Sequence, residues 1–127
     1  MSDEQEPQGE LVIQTVAMPA DTNAHGDIFG GWLVSHMDMG AAIAGRHRAH
    51  SRCVTAAIDS LAFIHRVNVG DTVSCYAHVL NVGRTSMQIH VEVWTMGLVN
   101  NQHKKVAHGV FTFVAIDDQG KPHPVNR

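Results

Sequence analysis

One carboxylate stands alone in the most apolar helical stretch of the chain. From His25 to Gly45 the sequence reads HGDIFGGWLVSHMDMGAAIAG, and after Asp27 its only charged residue, with histidine neutral, is Asp38. Its neighbours three, four and seven positions away on a helix are Gly31, Val34, Ser35, Ala41, Ala42 and Gly45, nearly all small. No Lys or Arg lies within one turn of it. Buried acids are seldom kept without a partner. A carboxylate lined by small residues leaves room for a ligand or a second backbone. Such a group suits a general base or a nucleophile. The other reading is a core aspartate satisfied by hydrogen bonds alone.

Gly30 and Gly31 open the same helix. Backbone N–H groups at a helix start lack intrahelical acceptors and carry the positive end of the dipole. Bare of side chains, these two can approach a carbonyl oxygen and hold developing negative charge. Tight packing is an equally good reason for a Gly-Gly pair. At a rise of ~1.5 Å per residue, Gly30 and Asp38 stand roughly 12 Å apart, too far to share one carbonyl. Two antiparallel copies would bring the helix start of one chain beside the aspartate of the other. The spacing therefore predicts a symmetric homodimer with two composite sites.

Competing chemistries leave weaker marks. His47 and His50 in RHRAH have a plausible i, i+3 ligand spacing. There is no HExxH motif and no cysteine cluster, so a solvated helix end is expected and no metal site. Cys53 and Cys75 lack CxxC spacing and read as reduced, buried thiols without signs of activation. No GxSxG elbow of a serine hydrolase is present.

These residues must be positioned by a chain of 127 residues, enough for one domain. The net charge of −3, without a long basic run, argues against nucleic-acid binding. No stretch approaches the roughly 18 to 20 uncharged apolar residues that span a bilayer, so no membrane partner is expected. The acidic start MSDEQEPQGE does not read as a signal peptide, which makes the cytoplasm the default location. Positions 1–9 are expected to be a flexible acidic N-terminus, 10–121 the folded domain and 122–127 a tail.

Leu11–Val16 reads as a short strand, and MPADTNAHGD as a loop. From Gly30 to about His50 apolar residues cover nearly every side, which predicts a buried helix. The period then becomes alternating. CVTAAIDSLAFI, DTVSCYAHVLNV, SMQIHVEVWTM and a last stretch from Val106 to Ile116 read as strands, with turns at Gly70-Asp71, NVGRTS, GLVNNQHKK and DDQGKP. The fold class is α+β, an antiparallel sheet wrapped around a central helix.

MPADTNAHGDIFGGWLVSHMDMG closely resembles the signature of YciA-type hot-dog acyl-CoA thioesterases. The likeness continues through GDTVSCYAHVLNVGRTSMQIHVEVW and VFTFVAIDDQGK, from about Leu11 to Lys121. It implies a hot-dog fold, with five antiparallel strands around one long helix, and hydrolysis of fatty acyl-CoA to free acid and CoA. On this resemblance Asp38 takes the place of the catalytic acid, Asn23 that of an active-site asparagine supplied across a dimer interface, and Gly30 or Gly31 that of the oxyanion glycine. Gly83, Arg84, Thr85 and Ser86 match the segment that contacts CoA. The family pattern also implies trimers of dimers, and no cofactor beyond the CoA of the substrate. LAFIHRV departs from it, with Ala62 and Arg66 where relatives often carry a polar residue and a proline; His65 and Arg66 are instead candidates for a CoA phosphate contact. Hot-dog folds also host hydratases, for which Asp21 and His25 would be the acid and histidine. A non-catalytic acyl-CoA sensor is the third reading, although it would usually be fused to an output domain.

Overall fold

The alternation that begins after residue 50 builds one five-stranded antiparallel sheet in a computed structural model, which describes residues 6–98 and 101–125. The elements are β1 (Glu10–Val16), a 3-10 turn (Pro19–Asp21), α1 (Gly30–Ala49), β2 (Arg52–Phe63), β3 (Thr72–Val82), β4 (Ser86–Met96) and β5 (His103–Ile116). The strand order is β1-β3-β4-β5-β2, so β1 and β2 are the two edges. α1 lies across one face and touches all five strands, which is the architecture expected from the sequence. The first five residues of the expected acidic N-terminus, positions 99–100 of the expected turn and positions 126–127 of the tail lie outside the described residues.

One stripe of α1 meets the sheet: Leu33, Met37, Ala41, Gly45 and Ala49, with Gly40 beside it. This i, i+4 ladder is how a helix seats one face on a sheet. Two glycines set how closely it sits. A Cβ on Gly40 would stand 3.0 Å from Val12 Cγ2, and one on Gly45 would stand 3.3 Å from Ile89 Cδ1. The core beneath is filled by Val73, Cys75, Ile89, Val91, Phe111 and Phe113, all almost fully buried.

The helix departs from expectation in one respect. It is not covered on every side by its own chain: Gly31, Ser35 and Met39 are exposed, Met39 at 47%. A five-stranded sheet covers only one face of a helix. Met39 and the small residues beside it are left on the surface of the chain.

Strand bounds also shift. β5 starts three residues before Val106, because His103, Lys104 and Lys105 pair with Met96, Thr95 and Trp94 across the sheet. β2 carries two irregularities, between Thr55 and Ala57 and between Asp59 and Ala62, with Ser60 at a left-handed φ of 54°. Bulges of this kind bend and re-aim a strand.

Candidate functional site

Asp38 lies mid-way along α1, and its carboxylate is half-exposed rather than buried as expected. The face that carries it points toward edge strand β2, not into the sheet. There the Thr55 hydroxyl donates a hydrogen bond of 2.6 Å to Asp38 Oδ1. This partner, seventeen positions downstream, answers why no cation is needed nearby. The second oxygen, Oδ2, has no partner among the described residues. Thr55 sits on β2, where nothing in the sequence set it apart.

Asn23 is fixed at the other end of the helix. Its Oδ1 accepts the backbone N–H groups of His25 (2.8 Å) and Asp27 (3.1 Å), and its own N–H donates to the Asp27 carbonyl at 2.7 Å. This turn spends the amide oxygen on the backbone and leaves Nδ2 without a partner among the described residues. α1 then begins after Phe29 with no side-chain cap and no acid in its first turn. The Gly30 and Gly31 amides therefore have no acceptor among the described residues. A Cβ on Gly31 would meet nothing within 4 Å, while one on Gly30 would touch only the Phe63 ring, at 3.6 Å. Packing inside the chain does not require glycine at either position.

A cleft of about 390 Å³ joins these parts: Asn23, Gly30, His65 and Arg66 line it, with Phe63 and Val67. Arg66 reaches across to Asp27 at 3.6 Å, with its own side chain 73% exposed. Asp38 is not in this cleft, as the helical rise required. Gly83 and Ser86 line a separate hollow of about 340 Å³ with Asn81, Gln88 and Thr112. There the Arg84 carbonyl accepts the Val125 N–H and the Thr85 carbonyl accepts the Ala115 N–H.

Within one chain, then, the expected residues form three groups: the Asn23–Gly30 cleft, the Asp38–Thr55 pair and the Gly83–Ser86 turn. β2 runs antiparallel to α1, with Phe63 beside Gly30 and Thr55 beside Asp38. The α1 residues Gly45 and Ala49 lie toward the Gly83–Ser86 end, since Gly45 faces Met87 and Ile89. The three groups are thus strung along the length of the helix.

The rival residues are occupied otherwise. The Asp21 Oδ2 accepts the Met18 N–H at 3.1 Å and holds the 3-10 turn, while His25 is exposed. His50 caps α1 in a left-handed conformation, φ 56°, with its N–H on the Arg46 carbonyl. Arg46, His47 and Arg48 occupy the last turn, where cations complement the helix dipole. Burial pushes the Cys75 thiol up to about 12, and burial raises Cys53 despite the nearby Arg46. Neither sulfur is poised as a thiolate.

Comparison with known proteins gives a consistent picture. The sequence model of the thioesterase superfamily matches residues 25–98. The acyl-CoA thioester hydrolase YciA of Salmonella typhimurium is 49% identical over 122 residues, covering 94% of this chain and 92% of its own. A hexameric thioesterase of Yersinia pestis superposes with a TM-score of 0.92 at 47% identity, over 96% of this chain and 100% of that one. A hexameric hotdog-fold thioesterase of Campylobacter jejuni gives 0.88 at 39% identity, over 93% and 91%.

Proposed function

This chain belongs to the thioesterase superfamily, and from that premise we propose that it hydrolyses acyl-CoA thioesters to the free acid and CoA. The observation that carries the reading is the Asp38 carboxylate, anchored on one oxygen by Thr55 and unpartnered on the other, beside an open strand edge.

That edge supports the composite site. β2 is twelve residues long, ends the sheet, and exposes Val54 at 46%, Ile58 at 42% and Phe63 at 50%. A long, apolar, unprotected edge is a template for pairing with another chain. Antiparallel pairing with a second copy, centred near Asp59, sets Thr55 of one copy opposite Phe63 of the other. Asp38 of one chain then approaches the Asn23–Gly30 cleft of its partner, and the exposed face of α1 finds its cover. Three such dimers form the six-chain assembly, in keeping with the hexameric relatives.

In this site the Gly30 or Gly31 amide polarises the thioester oxygen, and the Asn23 amide nitrogen holds the water or the carbonyl. Asp38 either takes a proton from water or attacks the carbonyl carbon to form a mixed anhydride. In the first route the C–O bond to water forms as the C–S bond breaks, and Asp38 passes the water proton to the departing CoA sulfur. In the second the C–O bond to Asp38 forms as CoA leaves as the thiolate. Water then hydrolyses the anhydride, freeing the acid, restoring Asp38 and supplying the proton. A thioester is already activated, so the chemistry calls for no cofactor beyond the CoA that arrives with the substrate. The Gly83–Ser86 turn, with Arg84 in it, receives the CoA half, and His65 and Arg66 supply a second phosphate contact. The enzyme is assigned to the cytoplasm. No helix among the described residues is long and apolar enough to cross a membrane.

The deciding assay is release of CoA thiol, read with a thiol-reactive dye, from a panel of short to long acyl-CoAs. Hydroxyacyl-CoA in place of free thiol would identify a hydratase, and binding without turnover a sensor. Two variants refine the assignment. Thr55→Val keeps the side-chain shape and removes the donor; it should lower kcat roughly tenfold while KM changes little, as for a group that positions Asp38. Gly31→Ala places a methyl group where the chain itself leaves open space. It should leave the melting temperature unchanged or slightly raised and cut kcat/KM by at least about tenfold, since an oxyanion contact is worth ~10²-fold or more.

A further inference from the structure

The face of the sheet turned away from α1 carries three histidines in a row. Cys75, Met87 and Ile89 face the helix, as their contacts with Gly40 and Gly45 show, so alternation turns His78 of β3 and His90 of β4 outward. The two are direct cross-strand partners. His90 pairs with Val110 and Glu92 with His108, which places His108 of β5 on the same face. Ring centroids are 5.2 Å apart for His78–His90 and 6.5 Å for His90–His108.

The row is short of partners. Nδ1 of His78 and Nδ1 of His90 are buried with no hydrogen bond among the described residues. Among the described residues Glu92 is the one acid facing His90, with its Oε2 at 3.9 Å. It is also claimed elsewhere: Oε1 accepts the Trp94 indole N–H at 2.8 Å and the Gln8 backbone N–H at 3.2 Å, and Lys105 stands 3.8 Å from Oε2. The other titratable groups facing His90 are Tyr76 and His78 from β3, and Lys105 and His108 from β5. His90 and the Lys105 ammonium thus share one buried carboxylate.

We propose that the His78–His90–His108 row is a proton-sensitive seam of the sheet centred on His90, firm while that buried ring is neutral and loosened when acid loads it with charge. Cations fit it poorly: among the described residues no three such groups are arranged to hold a metal ion, and Lys105 repels one. Burial pushes His90 below the ordinary histidine range, helped by its three cationic or ionisable neighbours and opposed by Glu92. The folded chain therefore binds this proton more weakly than the unfolded chain does. Above both values His90 binds no proton in either state, and the row adds no pH dependence to stability. As pH falls below about 6.5 the unfolded state takes up the proton first, and stability drops.

Melting temperatures of the full chain, from pH 8 to 5.5, test the proposal, with light scattering to follow assembly. The wild-type value should fall between pH 7.5 and 5.5, and that of His90→Gln should fall by roughly 3–5 °C less. Parallel curves for wild type and the variant would overturn it. A second readout needs no variant: in wild-type protein carrying ¹³C-labelled histidine, the His90 ring should titrate below about 6.5. Titration at or above that value would also overturn the proposal. None of these residues belongs to the proposed catalytic groups, so the result is separable from the thioesterase reading.

Discussion

Asp38→Ala should lower kcat for acyl-CoA hydrolysis by about 10²–10⁴-fold, the usual worth of a positioned acid–base group. Binding of CoA should persist, because the Gly83–Ser86 turn and the Asn23–Gly30 cleft, where CoA is proposed to bind, do not depend on that side chain. The fold should persist as well. Asp38 is half-exposed, and its side chain's only hydrogen bond among the described residues is the one from Thr55, which is itself exposed and can turn its hydroxyl to water. Asp38→Asn sharpens the test. It keeps an oxygen for Thr55 and nearly the same volume but cannot accept a proton from water or form an anhydride. Equal loss in both variants assigns the work to the carboxylate's charge and basicity. Full activity in the Asn variant would remove Asp38 from the chemistry and leave it a positioning role.

The helix and the strands were legible because their patterns are local. Apolar residues on nearly every side of the helix from Trp32 to Ala44 require contact with something apolar, and the alternation in SMQIHVEVWTM requires a strand with one buried face. What covers the helix was not legible. Hydrophobicity records that Met39 needs a cover and does not say whether its own sheet or another chain supplies it. The start of β5 was missed for a related reason: His103, Lys104 and Lys105 are polar, and their strand conformation comes from pairing with β4. Thr55 was hidden most completely. Its role exists only because the antiparallel return of β2 along α1 brings position 55 beside position 38, a contact with no local trace. Gly30 and Gly31 stood out through their place at the helix start and Asn23 through family likeness alone; the structure shows two helix-start amides without acceptors among the described residues and adds for Asn23 an amide oxygen spent on the backbone.

Mixing two inactive variants should restore activity. In the proposed dimer each site takes Asp38 from one chain and Asn23 with the helix start from the other. An Asp38→Ala homodimer lacks the acid at both sites, and an Asn23→Ala homodimer lacks the amide at both. A mixed dimer concentrates both lesions in one site and leaves the other intact. After unfolding and refolding together in equal amounts, half the dimers are mixed, so thiol release should recover to about a quarter of wild type. If each chain instead held a complete site, every site would carry one lesion and no activity would return. The geometry within a single chain already argues for sharing, since the Asp38–Thr55 pair and the Asn23–Gly30 cleft are separated by two turns of a rigid helix. A charged block on the open edge gives the complementary result. Ile58→Arg should prevent β2 from pairing with its copy, shift light scattering toward the monomer and abolish turnover, while no residue proposed to touch the substrate has been altered. A monomeric Ile58→Arg protein with wild-type activity would refute the shared site as directly as failed complementation.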